Sequence, residues 1–376
     1  MKYVIIGTGV AGVSAIKEII KMRDDNDEVV VLTDETRGFY YRPRLIQCLS
    51  GQIDVDDIII NDLDWFKKND INLHLNEPAI SVDFANSLVH TEEGKYNYDK
   101  LLLANGSHPF VPPVPGSNFE NVFTLRIAED AEKIHNYAQE SEKAVVVGGG
   151  LLGLESAYNL SKTGLDVKVL EMADHLMNRQ LDKKGGEILK KKLKDMGIMC
   201  QLGCMASEII GEGKAEKVKL KSGQEIPTDF VLFSAGIRSN TELVEDTDIE
   251  VNKGIVVNNK METSIENVYA AGDVAEFNER VYGIWGPSME MGKIAGKNMV
   301  NKDADFDGYV SSHELKVAEV NVISVGVLEE RDNITSEIKE ENDTYCRVFK
   351  KQGELVGAII VGDYEEQEEI VKKIKS

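Results

Sequence analysis

Three glycines, Gly7, Gly9 and Gly12, follow the apolar run Tyr3-Val-Ile-Ile. The pattern returns as Gly148, Gly150 and Gly153 behind Ala144-Val-Val-Val, and the offset is 141 residues at each position. Glycines at this spacing, between a buried strand and a helix, suit a pyrophosphate. The first permits the tight turn, the second lets the backbone approach the phosphates, and the third lets helix and sheet pack closely. The anion then sits where the helix N-terminus offers free N–H groups and the positive end of its dipole. Val10 and Ala11 in the first copy, and Leu151 and Leu152 in the second, join the glycines as candidate cofactor-binding positions. An acid closes each copy. Asp34, with Glu35 beside it, ends Val29-Val-Val-Leu-Thr, and Glu171 ends Val167-Lys-Val-Leu. A carboxylate there accepts hydrogen bonds from an adenosine ribose. At Glu171 it repels a 2′-phosphate, and no arginine follows immediately, which favours NADH over NADPH.

Short apolar strands leading into helical patterns must hold these loops. The pattern predicts helices over Ser14 to Met22, Leu154 to Lys162 and Ala128 to Glu140, and one starting near Met289. Four of the eight prolines lie in His108-Pro-Phe-Val-Pro-Pro-Val-Pro-Gly116 and mark a stiff connector. The fold expected is α/β, with two nested Rossmann-like dinucleotide-binding domains and a small α+β C-terminal domain. The first fold is split (1–110 and 236–305), the second (111–235) is inserted into it, and the tail covers 308–376. In the tail, β-like runs at Val320 to Val327, Tyr345 to Phe349 and Leu355 to Val361 precede an amphipathic helix, Glu365 to Lys375.

Composition narrows the class. The 376 residues carry a net charge of −22, which argues against nucleic acid and anionic membranes as partners. No apolar stretch is long enough to span a bilayer. The four cysteines do not form a disulfide scaffold. Cys200 and Cys204 lack a second ligand pair, and the histidines are scattered, so no metal site is expected. The amino terminus does not read as an export signal, so the cytoplasm is the expected location.

Further junctions carry a resemblance. Leu101-Leu-Leu-Ala104-Asn105-Gly106-Ser107, Phe230-Val-Leu-Phe-Ser-Ala-Gly236 and Val268-Tyr-Ala-Ala-Gly272-Asp273 resemble segments of the pyridine-nucleotide-dependent flavoprotein reductases of the glutathione-reductase type. The likeness implies that the first fold binds FAD and the second NADH, with hydride passing from nicotinamide to flavin. It also implies that Asp273 holds the ribityl chain and that Arg42 pairs with FAD phosphate or adenosine. Arg126 lies beside FAD on this reading, Ala79 meets adenine through its backbone, and Trp285 and Gly286 precede a helix aimed at the flavin. Glu155 positions the nicotinamide and is the one candidate catalytic residue.

Within the family, Phe39-Tyr-Tyr-Arg-Pro-Arg-Leu45, Trp285 to Gly296 and the C-terminal strands are similar to rubredoxin reductases and to the flavin domain of NADH-dependent nitrite reductases. The resemblance implies electron transfer from NADH through FAD to a small iron–sulfur protein, with rubredoxin first among the acceptors. A nitrite-reductase subunit or another carrier is an alternative. So is an NADH oxidase or peroxidase using Cys48, and so is a non-enzymatic FAD-binding scaffold. The disulfide reductases' paired cysteines are missing, since Cys48 has no partner four residues away. The tail is shorter than their dimerising domain, which implies a monomer.

Overall fold

The computed structural model describes residues 1–309, 312–341 and 344–375. The chain divides into two compact units. One comprises Met1–Pro43, Val55–His108 and Ile237–Tyr309; the other comprises Arg44–Asp54, Pro109–Gly236 and Val310–Ser376.

The first unit is built on a five-stranded parallel sheet. Its strands run in the order Val268–Ala270, Lys100–Leu103, Lys2–Ile6, Glu28–Leu32, Ile71–His74. Val4, Ile5, Val30, Val31, Leu101 and Leu102 have no solvent exposure, as expected of continuous apolar runs in a sheet covered on both faces. The second unit repeats the plan. Val122–Thr124, Phe230–Phe233, Lys143–Val147, Asp166–Leu170 and Met199–Gln201 form its parallel sheet in that order. The repetition goes deeper than the glycines. In both units the return from the outermost strand is a three-stranded antiparallel meander: Ser81–Asp83, Leu88–His90 and Lys95–Asn97 in one, Ala206–Ile210, Lys217–Leu220 and Glu225–Pro227 in the other.

The helices after the glycine loops begin at Val10 and Leu151, three to four residues before the hydrophobic pattern starts, because Gly9 and Gly150 act directly as N-caps. In the first unit the long helix Trp285–Met299 crosses Val10–Met22. A Cβ on Gly292 would stand 2.2 Å from the Ala11 carbonyl oxygen, and one on Gly296 would stand 2.5 Å from that of Ala15. Glycine is what permits the backbones to approach.

Residues 44–54, expected in the first fold, group with the second unit. The short helix Leu45–Cys48 packs on Ala128–Ala138 and Leu151–Ser161. The Gly51 backbone lies against the His135 ring, and His135 Nδ1 is 3.2 Å from the Leu49 carbonyl.

The tail of the second unit is an antiparallel sheet in the order Ser312–Val317, Val320–Gly326, Glu354–Val361, Thr344–Lys351, Ile334–Glu341. The helix Gln367–Lys375 covers it through Ile370 and Val371. Asp182 ties the tail to the parallel-sheet part. It caps the helix Lys183–Asp195 by accepting the Gly185 N–H at 2.9 Å, and also accepts from the Tyr345 hydroxyl at 2.5 Å and from Arg347 Nη1 at 2.8 Å. Burial opposes its charge, yet these donors hold its carboxyl below the usual range. Among the described residues, no helix is long and apolar enough to cross a membrane.

Candidate functional site

In the first unit, Gly7 leaves its strand at φ +106°, and a Cβ there would stand 2.3 Å from the Ala104 carbonyl oxygen. A Cβ on Gly12 would lie 2.0 Å from the Gly7 oxygen. Gly9 is the opposite case, with nothing within 4 Å of its built Cβ. The loop is therefore closed on the protein side and open at the helix N-terminus. That terminus has no side-chain cap and no acid in its first turn. Uncapped N–H groups facing open space fit a pyrophosphate. Val10 and Ala11 form this first turn, with Ala11 buried against Gly272.

The acids after Glu28–Leu32 divide their work. Asp34 is exposed, whereas Glu35 is buried. Glu35 accepts from the Tyr40 hydroxyl at 2.9 and 3.1 Å and from Arg42 Nη2 at 2.5 Å. Burial opposes the Arg42 charge, but Tyr40, Glu35 and Asp273 raise its pKa above the ordinary value. Asp34 is thus the carboxylate left facing outward. Asp273 follows Gly272, whose φ is +84°, and both its carboxylate oxygens are held, by Ser107 Oγ at 3.0 Å and Ser288 Oγ at 3.1 Å. The supporting roles of Ser107 and Ser288 are absent from the sequence expectations. Their separations from Asp273, 166 and 15 residues, give no local signal.

Asn105 and Asn240 exchange side chain-to-backbone hydrogen bonds at 2.8 and 2.7 Å, and the Asn240 N–H donates to the Gly106 carbonyl. The Asn105 Oδ1 is buried with no protein partner, an acceptor a bound group can satisfy. Ala104 is buried and Ala79 half-buried. Trp285 and Gly286 do not precede the long helix. The helix begins at Trp285 with Ile284 as N-cap, since Pro287 is tolerated in a first turn. Trp285 stacks on Phe39 at 5.7 Å between ring centroids and meets the Tyr41 edge at 4.8 Å. Tyr309 lies against Gly286. The glycine cradle, the uncapped terminus and the orphan amide oxygen suit FAD.

In the second unit, Gly148 at φ +125° is closed by the Ser234 carbonyl at 2.2 Å, and Gly153 by the Gly148 oxygen at 2.1 Å. Gly150 caps the helix and again meets nothing within 4 Å. Glu171 curls over the loop: one carboxylate oxygen accepts the Gly149 N–H at 2.5 Å, the other the Ala173 N–H at 2.7 Å. Leu151 is half-buried, and Leu152 and Met172 are exposed at 41% and 66%. This open loop, with its uncapped terminus and carboxylate, suits NADH.

Glu155, one turn into the helix, is half-buried, and burial pushes its carboxyl up to about 7. Gly236, in the same unit, has φ +103° and open space at its Cβ position. The Arg126 backbone N–H donates to Asp130 at the start of the helix Ala128–Ala138. Cys48 is buried, its Sγ 4.0 Å from the Arg44 carbonyl oxygen.

Comparison with known proteins separates the tail from the part of the chain that carries both glycine loops. Residues 1–292 match the family model described as pyridine nucleotide-disulphide oxidoreductase, and residues 312–376 match the rubredoxin NAD+ reductase C-terminal domain. A nitrite reductase [NAD(P)H] of Bacillus subtilis is 36% identical over 99% of this chain and 47% of its own length. The chain thus spans about half the length of the nitrite and nitrate reductase proteins it matches. An NADH-rubredoxin oxidoreductase of Clostridium acetobutylicum is 33% identical, covering 100% of this chain and 94% of that protein. The crystal structure of that organism's NADH:rubredoxin oxidoreductase superposes with a TM-score of 0.86 at 32% identity, over 99% of this chain and 94% of the other.

Proposed function

This chain belongs to the pyridine nucleotide-disulphide oxidoreductase family, and we propose that it is an NAD(P)H-dependent flavoprotein oxidoreductase that uses FAD and NADH and has a rubredoxin as its acceptor. The observation that carries the proposal is the tail. A rubredoxin-reductase type of C-terminal domain follows the two nucleotide folds, and the chain accounts for nearly the full length of a rubredoxin-reducing relative.

FAD held in the first unit would supply hydride acceptance from NADH and one-electron release, chemistry that no amino-acid side chain supplies. The protein's part is to bind and orient. Gly7, Gly9 and Gly12, with the N–H groups of Val10 and Ala11, hold the FAD pyrophosphate. Arg42 adds positive charge, Asp34 takes the adenosine ribose and Asp273 the ribityl hydroxyls. Gly148, Gly150 and Gly153, with Leu151 and Leu152, hold the NADH pyrophosphate, and Glu171 accepts from its ribose. Glu155, protonated below about pH 7, offers a hydrogen bond from its carboxyl to the nicotinamide amide. Most of the catalysis on this reading is positioning.

The test is NADH oxidation by the FAD-loaded protein with rubredoxin, a ferredoxin or oxygen as sole acceptor. Rubredoxin should give the largest kcat/KM. Equal rates with oxygen alone would remove the carrier. A second reading, delivery of electrons to a nitrite-reducing partner, is favoured by the 36% identity to the Bacillus protein. Reduction of such a partner faster than of rubredoxin would establish it.

A further inference from the structure

Thr33 to Glu35, the segment that presents Asp34, is laced to the turn after Ile71–His74. The Thr33 N–H donates to the His74 carbonyl at 3.1 Å, the Asn76 N–H to that of Glu35 at 2.9 Å, and the Glu77 N–H to that of Thr33 at 2.8 Å. Glu77 anchors this turn from below. Glu77 is 8% exposed, and its carboxylate accepts from Thr91 Oγ1 at 2.6 Å and the Tyr96 hydroxyl at 2.7 Å on one oxygen. The other oxygen is 2.9 Å from His74 Nδ1. An ionised carboxylate only accepts, so the imidazole proton belongs on Nδ1. His74 Nε2 is buried without a protein partner. His74 and Tyr96 also meet edge to face at 4.9 Å. A buried carboxylate with three donors is held in one orientation. Burial opposes its charge, yet these donors keep it ionised below the usual glutamate range.

We infer that Glu77, braced by His74, Thr91 and Tyr96, is a positioning residue that aims Asp34 at the adenosine ribose of FAD. The inference rests on the FAD reading of the first unit. It assigns the adenosine half of the cofactor a support four residues wide, reaching from the outermost parallel strand into the meander. Removing the support should weaken only what the adenosine half contributes to binding.

The experiment compares FAD with FMN, which lacks the adenosine, by fluorescence titration of the flavin-free protein. Glu77→Ala should raise the FAD dissociation constant by about tenfold or more, the scale of a lost charge-assisted bond. The FMN constant should stay within about twofold, on the same scale. Thr91→Val and Tyr96→Phe each remove one donor, and should show the same selectivity in smaller degree if Glu77→Ala fails to fold. Equal weakening of FAD and FMN, or unchanged FAD affinity in all three variants, would overturn the inference. Failure of the unmodified protein to bind FAD would instead overturn the proposed function, so the two failures are distinguishable.

Discussion

The two glycine loops have nearly the same backbone and different grips. In each, a carbonyl from the neighbouring strand's end closes the first glycine, at 2.3 and 2.2 Å from the built Cβ. The first glycine's own oxygen closes the third, at 2.0 and 2.1 Å. The acids differ. The first loop is backed by a buried carboxylate–arginine–tyrosine cluster, and its aspartate across the sheet is held by two serines. The second has a single glutamate resting on two backbone N–H groups, with Met172 and Leu152 exposed nearby. On the proposed reading, one repeated frame serves a cofactor that stays and a substrate that leaves. The side chains decide which, because the backbone contacts are common to both.

The comparison breaks most sharply at the third glycine. Gly12→Val and Gly153→Val each force a branched side chain against a carbonyl oxygen with no flexible neighbour to yield, and overpacking of this kind costs about 1–3 kcal/mol or more. Gly12→Val should purify without flavin by absorbance. Gly153→Val should keep its flavin and lose about a hundredfold or more in kcat/KM for NADH, a barrier change of roughly 2.7 kcal/mol. Loss of flavin in both would mean that the two grips are not independent.

Glu171 comes next. Replacing it by glutamine removes the charge but leaves an acceptor. The kcat/KM for NADH should fall about tenfold and that for NADPH should rise, since the repulsion of a 2′-phosphate is gone. An unchanged coenzyme ratio would detach specificity from this carboxylate.

Glu155 gives a pH signature. Its folded pKa, about 7, lies above the ordinary glutamate value, so the native state holds the proton more tightly than the unfolded one. Stability from this group is therefore full below the ordinary value and is lost as pH rises towards 7. Glu155→Gln is neutral throughout. Its melting temperature relative to the unmodified protein should rise across that window and level off above it. Parallel curves would show that the group titrates normally.

The smallest effect is expected at Cys48. Its buried thiol belongs to neither grip, so Cys48→Ser should leave NADH oxidation with a protein acceptor within about twofold, a change of under 0.5 kcal/mol in barrier. A large loss would bring a thiol relay back into the mechanism.

Much of this was legible along the chain. Glycine spacing, apolar strands and terminal acids are local patterns, because a turn that admits only glycine and a strand buried on both faces each constrain the residues within them. They determined the α/β class, the doubled fold and the two loops. The edge strand Ile334–Glu341 was not legible, since its largely exposed, charged residues carry no apolar alternation and its pairing partner sets it. Nor was the start of the long helix at Trp285, where glycine and proline mask the helical pattern.

The tertiary structure alone decided how the acids are used. Asp34 and Glu35 are adjacent and chemically alike, but only packing turns one to solvent and buries the other on Arg42 and Tyr40. It likewise brought Ser107 and Ser288 to Asp273, and Thr91 and Tyr96 to Glu77. Such partners are chosen by distance in space. Nothing in the order of residues records that distance until the sheet and its crossing helices have formed.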